Sequence, residues 1–203
     1  MKLTKEGLKS SELGKKVYSL PQFDFDKVQK ATHDNPFWIH FGAGNIFRAF
    51  QANVVQELLN KGVLDRGLVV AEGYDYEIIE KMYKPHDNVG ALVTLKSSGS
   101  VEKTVVGSIM EALTANSDNS CDWERLLEIF RNPSLQMATF TITEKGYLLK
   151  NAAGVMMPGV EEDFSNGPVL PKSYIGKVVT LIHERYVNGE LPLAVVSMDN
   201  CSH

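Results

Sequence analysis

The run Phe37-Trp-Ile-His-Phe-Gly42-Ala-Gly44-Asn-Ile-Phe-Arg48-Ala-Phe-Gln-Ala52 constrains this chain more than any other, because it reads as a buried strand passing through a glycine turn into a helix. A strand that must turn sharply and let its backbone approach a ligand needs residues without a Cβ. The helix that follows points free N–H groups and the positive end of its dipole at whatever sits there. Gly42 and Gly44 fit these two roles, the pattern of a dinucleotide pyrophosphate site. The third glycine of the usual G-x-G-x-x-G is replaced by Phe47, so the helix is expected to stand further from the strand.

The 203 residues, 43% of them hydrophobic, suffice for a real core. A formal net charge of -4 provides no broad basic field, which argues against nucleic acid or an anionic membrane as the main partner. The two cysteines, Cys121 and Cys201, suit neither a disulfide framework nor a zinc knuckle. Residues 1–16 are polar and charged with no apolar core of a signal peptide, and no later stretch is long enough to span a bilayer. A cytoplasmic protein is expected.

Along the chain, 1–35 reads as a polar leader with a short helix over 26–32, and 36–203 as one nucleotide-binding domain. Within it the pattern predicts a strand at 38–41, a helix over 46–60 with Phe47 and Phe50 in the core, a strand at 67–71 and a helix over 76–83. This order implies parallel pairing with right-handed crossovers. Segments 91–95 and 101–109 read as a hairpin around Ser97-Ser-Gly-Ser100. A helix over 123–130 capped by Asp122, a strand at 136–142, a long surface loop over 151–171, a helix over 174–188 and a strand at 193–198 complete the expectation. The fold class is therefore α/β, a Rossmann-like doubly wound, mostly parallel sheet with an inserted β-hairpin.

In such a sheet ligands bind beyond the carboxyl ends of the strands. That singles out 42–48, the acids Glu72 and Asp75, Thr143 and Glu144, and the final Asp199-Asn-Cys-Ser-His203. A carboxylate after the second strand can accept hydrogen bonds from the ribose hydroxyls of NAD while repelling the 2′-phosphate of NADP. Glu72 and Asp75 are the two candidates, about thirty residues past the glycines where about twenty is usual. Asp75 could equally cap the helix that starts at Tyr76. Arg48, a cation in the first turn of a helix, needs a compensating partner, either a bound anion or an internal acid. Cys201, His203 and Asp199 lack the three or four convergent ligands of a metal site, and none is expected. His40, inside a strand pattern, reads as a satisfied core histidine or one that stands behind the site.

Three segments, His40-Phe-Gly-Ala-Gly-Asn-Ile-Phe-Arg-Ala-Phe-Gln-Ala52, Thr141-Ile-Thr-Glu-Lys-Gly-Tyr147 and Val195-Val-Ser-Met-Asp-Asn-Cys-Ser-His203, resemble in order three segments of the mannitol dehydrogenase family of zinc-independent polyol dehydrogenases. The leader is most similar to fructuronate reductases, which interconvert D-fructuronate and D-mannonate. The resemblance implies that Gly42, Ala43, Gly44, Asn45, Ile46, Phe47 and Arg48 line the cofactor pyrophosphate and that Asp75 selects NAD. It also implies that Thr143 and Glu144 lie near the nicotinamide half and that Asn200 holds the substrate oxygen whose charge changes in hydride transfer. The substrate would be a polyol or sugar acid. Two positions depart from the family pattern: Lys145 stands where Gly is usual and Phe47 where His is usual. The family's Lys-x4-Asn-x2-His signature has no counterpart here, and it belongs to a helical domain downstream. The chain is thus expected to be the cofactor-binding part of a longer enzyme, with its own C-terminal domain as partner. Mannitol 2-dehydrogenase, tagaturonate reductase and a nucleotide-binding module without catalysis are the alternatives.

Overall fold

The computed structural model describes residues 3–10, 18–142 and 144–199. Five strands form one parallel sheet: β1 (Trp38–Phe41), β2 (Leu68–Glu72), β5 (Ile109–Thr114), β6 (Met137–Phe140) and β7 (Ala194–Ser197), in the spatial order β5-β2-β1-β6-β7. The chain leaves β1 toward β2 and β5 on one side, then returns to β6 and β7 on the other. The carboxyl ends of β1 and β6 therefore flank the point where the winding reverses. The other two strands, β3 (Gly90–Leu95) and β4 (Val101–Val106), form the expected antiparallel hairpin outside the sheet. Ser19, ahead of the domain in sequence, adds to its edge through Ser19 N to Lys103 O and Val105 N to Ser19 O, both 2.8 Å.

Both faces of the sheet are covered, which explains why β2 reads as an unbroken apolar run rather than an alternating one. Val69 and Ala71 face Leu126, Ile129 and Phe130 of α6 (Ser120–Arg131) and Val178 and Leu181 of α8 (Tyr174–Val187). Leu68 and Val70 face Phe47, Ala52, Val55 and Leu59 from α3 (Asn45–Ala49) and α4 (Gln51–Asn60). Leu8 of α1 (Lys5–Ser10) and Val28 of α2 (Phe25–Asp34) also enter core clusters. The start of α2 is fixed by Asp24, whose carboxylate accepts from the amides of Asp26 and Lys27.

Several expectations are corrected. The single helix over 46–60 is two, joined at Phe50, whose φ of -104° and ψ of -77° bend the chain out of line. Phe50 is 67% exposed rather than in the core: Ile46, Phe50 and Val54 share the outer face, and Ala52, Val55 and Leu59 carry the face that is buried. The helix after β2 begins as α5 (Tyr76–Ile78) and widens into a π turn over Ile79–Tyr83. The hairpin's second strand stops at Val106, and Ile109–Thr114 belongs to the main sheet. Gly107 and Ser108 break the run by giving their polar groups to α4: Gly107 N donates to Gln56 Oε1 and Ser108 Oγ to Ala52 O. Asp122 does not cap α6. Asn119 is the capping residue, and Asp122 instead accepts from the amide and hydroxyl of Thr114, tying α6 to the end of β5. Inside the expected loop lies α7 (Pro158–Asn166), which has Pro158 in its first turn and ends at Gly167.

Candidate functional site at the carboxyl edge of the sheet

Gly42 continues β1 for one step, its amide donating to Ala71 O at 2.9 Å, and then turns with φ +112°, a conformation L side chains rarely adopt. A Cβ there would lie well inside contact distance of the Thr141 carbonyl oxygen. Gly44 is different: its φ of -73° is ordinary, and a Cβ would meet nothing within 4 Å. The first glycine makes the turn, and the second leaves open space in front of it.

Behind the turn stands a polar ladder. His40 is fully buried, with Nδ1 2.6 Å from Thr139 Oγ1 and Nε2 2.8 Å from Thr141 Oγ1, and Trp38 Nε1 donates to the same Thr139 hydroxyl at 2.7 Å. Phe47 stacks on the imidazole at 4.3 Å. Both ring nitrogens are thus satisfied in the neutral form, and burial pushes the His40 pKa down to about 3. An NMR titration of this ring should show no inflection near pH 6.5. The folded pKa lies below the unfolded one, so the stability gained from a neutral His40 is complete above about pH 6.5. It declines as the pH falls toward 3, by up to roughly 5 kcal/mol. A titration at the ordinary histidine position would contradict this geometry.

Of the two acids after β2, Glu72 is buried and committed to the backbone. Its Oε2 accepts from Ala43 N at 2.8 Å, and its Oε1 from Tyr74 N at 2.8 Å and Asp75 N at 3.2 Å. This carboxylate ties the glycine turn to the loop after β2, its three accepted amide bonds committing it to the backbone. Asp75 occupies the N-cap position of α5 but makes no capping hydrogen bond, and it is exposed. Glu72 is thus bound to the backbone, whereas the Asp75 carboxylate has no hydrogen-bond partner among the described residues.

The remaining expected residues distribute as follows. The Ala43 amide is held by Glu72, and its carbonyl accepts from Tyr83 Oη at 2.8 Å. Gly44, Asn45 and Ile46 are exposed at the start of α3, which has no side-chain cap. Phe47 turns its ring into the core, so only its main chain belongs to the turn. Arg48 donates to Asn45 Oδ1 and lies 5.8 Å from the Tyr83 ring centre, while its Nε is buried without a partner among the described residues. It lines a cavity of about 230 Å³ together with Asn45, Tyr83 and Asn88. No acid pairs with this guanidinium among the described residues. Glu144 opens a one-turn 3-10 helix (Glu144–Tyr147) after β6, and beyond β7 the Asp199 carboxylate accepts from Tyr147 Oη at 2.5 Å. Thr143 and Asn200 lie outside the described residues.

Among the described residues the site thus offers open space before Gly44, a carboxylate without a partner at Asp75 and a guanidinium N–H without a partner at Arg48. Sequence reasoning misses Tyr83, Tyr174 and Lys177, which reach the same edge from distant segments and have no local signature. Among the described residues no helix is long and apolar enough to cross a membrane, and no cluster of metal-ligating side chains occurs.

Comparison with known proteins places these features in context. The family model for the mannitol dehydrogenase Rossmann domain matches residues 37–203. A D-mannonate oxidoreductase of Thermotoga maritima is 49% identical over all of this chain and 38% of its own length. That of Escherichia coli K12 is 32% identical over 80% of this chain and 33% of its own length. Among solved structures, Pseudomonas fluorescens mannitol 2-dehydrogenase, in a ternary complex with NAD and D-mannitol, superposes with a TM-score of 0.79 at 25% identity, covering 98% of this chain and 39% of that one. A D-sorbitol dehydrogenase in substrate-free form gives 0.79 at 26% identity, covering 100% and 40%. The chain thus spans well under half the length of the relatives it matches.

Proposed function

The chain belongs to the mannitol dehydrogenase family, and from that premise we propose that it is the NAD-binding part of an oxidoreductase acting on a secondary alcohol of a sugar acid, D-mannonate in one direction and D-fructuronate in the other. The observation that carries the NAD reading is the Asp75 carboxylate, exposed and without a capping bond beyond the end of β2, on a loop that Glu72 ties to the glycine turn. Two ribose hydroxyls can donate to such a group, whereas a 2′-phosphate would be repelled by it. NAD, when bound, supplies the hydride acceptor, and NADH the donor.

In this reading the residues of the chain hold and orient. The backbone at Gly44, Asn45 and Ile46 faces the pyrophosphate, and Arg48 offsets its charge. To Thr143 and Glu144, which follow β6 in sequence, the reading assigns the nicotinamide half. To Asn200 the reading assigns an amide N–H for the substrate oxygen, a donor whose bond strengthens as a carbonyl becomes an alkoxide and which does not itself titrate. The alcohol proton would be handled by residues of a C-terminal domain, the proposed partner of this one, and a cytoplasmic location fits a nicotinamide enzyme of this kind. The D-mannonate oxidoreductase at 49% identity supports the sugar-acid substrate.

The enzyme isolated from its source should oxidise NADH on D-fructuronate faster than on D-fructose or D-tagaturonate. Faster turnover of either rival would overturn the substrate assignment. Absence of nicotinamide-dependent turnover on all three would overturn the oxidoreductase reading.

A further inference from the structure

Lys177, in the first turn of α8, is buried, and no acid pairs with it among the described residues. Its ammonium donates to Tyr76 Oη at 2.7 Å and to the Gly73 carbonyl at 3.4 Å, and sits 5.4 Å from the Tyr76 ring centre. Tyr76 hands the connection on to Ala115 O, 3.4 Å away beyond the end of β5. One turn earlier on α8, the Tyr174 ring packs so closely against Gly73 that a Cβ there would fall 2.7 Å from its Cδ2. The loop Gly73-Tyr74-Asp75-Tyr76 is therefore gripped from two sides, by Glu72 across its amides and by Lys177 and Tyr174 from α8.

Taking an ammonium out of water is unfavourable, and burial lowers the Lys177 pKa accordingly. An apolar side chain of similar length would fill the same space without that cost, so stability alone does not account for a lysine here. What the ammonium adds is direction, since it fixes one carbonyl and one hydroxyl on the loop that carries Asp75. We propose that Lys177 is a positioning residue for cofactor discrimination: through Gly73 and Tyr76 it holds the Asp75 carboxylate in place for the adenosine ribose of the dinucleotide. The proposal rests on Asp75 being the ribose acceptor.

The test is calorimetric titration of this chain and its Lys177→Met and Tyr76→Phe variants with NADH and NADPH. Lys177→Met should weaken NADH on the order of tenfold while NADPH changes much less, so that the preference between them collapses. Tyr76→Phe, which keeps the ring and should fold even if Lys177→Met does not, should act in the same direction. The double variant should be no worse than Lys177→Met alone, because both residues act through one contact. A general loss of structure would weaken both nucleotides together. Variants that retain the wild-type preference, or that lose both nucleotides equally, would overturn the proposal while leaving Asp75 its role. A wild-type chain with no preference for NADH would instead remove the Asp75 reading, and this proposal with it.

Discussion

Replacing Arg185 by methionine is expected to cost about 3–5 kcal/mol of folding stability, a large share of the margin that keeps a domain of this size folded. The side chain is 2% exposed and has no acid partner among the described residues, yet all five of its N–H groups are used. Nε donates to Leu191 O at 3.1 Å, Nη1 to Phe130 O and Asn132 O at 2.9 Å each, and Nη2 to Leu135 O at 2.7 Å and Pro192 O at 2.9 Å. The two acceptors on Nη1 lie at the carboxyl end of α6, where the helix dipole favours a cation. The others belong to the segments leading into β6 and β7. One guanidinium therefore sets the start of two strands whose far ends form half of the site. Methionine would leave five carbonyls without their donor, and lysine, with three donors in a different geometry, would recover little. Chemical denaturation checks this directly, and a variant within about 1 kcal/mol of wild type would mean that water or rearrangement replaces the lost bonds.

The two glycines of the turn should part company under mutation. Gly42→Ala is expected to cost roughly 2–4 kcal/mol, because alanine is strained at φ +112° and its Cβ would collide with the Thr141 carbonyl. The Thr141 hydroxyl is also hydrogen-bonded to His40 Nε2, so the displaced strand end would disturb the buried ladder as well. Gly44→Ala should leave stability within about 1 kcal/mol of wild type, since its backbone is ordinary and its Cβ points into open space. If that space receives the pyrophosphate, the same alanine should still weaken NADH by about tenfold or more. A stable fold with impaired binding at Gly44, beside an unstable fold at Gly42, is the signature of the two roles. Equal stability losses at both positions would contradict it.

How far these features are legible in the sequence follows from how local each one is. The run from Trp38 to Phe41, the glycine turn and the apolar stretch at β2 are short-range patterns, and parallel pairing follows from their alternation with helices. The expected hairpin strand runs through Gly107-Ser108 to Ile109 and no strand is expected over 110–114, because the pairing of Ile109–Thr114 with β2 is non-local and Gly107-Ser108 is a weak break in text. Pro158–Asn166 is hidden by its own composition of glycine, proline and acids. Phe50 reads as buried because it belongs to an apolar i, i+4 row with Ile46 and Val54, and periodicity does not say which of two apolar faces meets the sheet. At the site, spacing places both Glu72 and Asp75 after β2, but it does not say that Glu72 turns inward to the amide of Ala43. Lys177 meets Gly73 and Tyr76 across about a hundred residues of chain, a contact that only the closed sheet creates.

That this edge binds NAD through an acid at Asp75 is tested most directly by calorimetric titration of the chain with NADH and NADPH, beside an Asp75→Ser variant. The wild-type chain is expected to bind NADH more tightly than NADPH, and serine at this position to weaken NADH while relieving the exclusion of NADPH. Equal affinity of the wild type for the two nucleotides, or an unchanged preference in the Asp75→Ser variant, would contradict it.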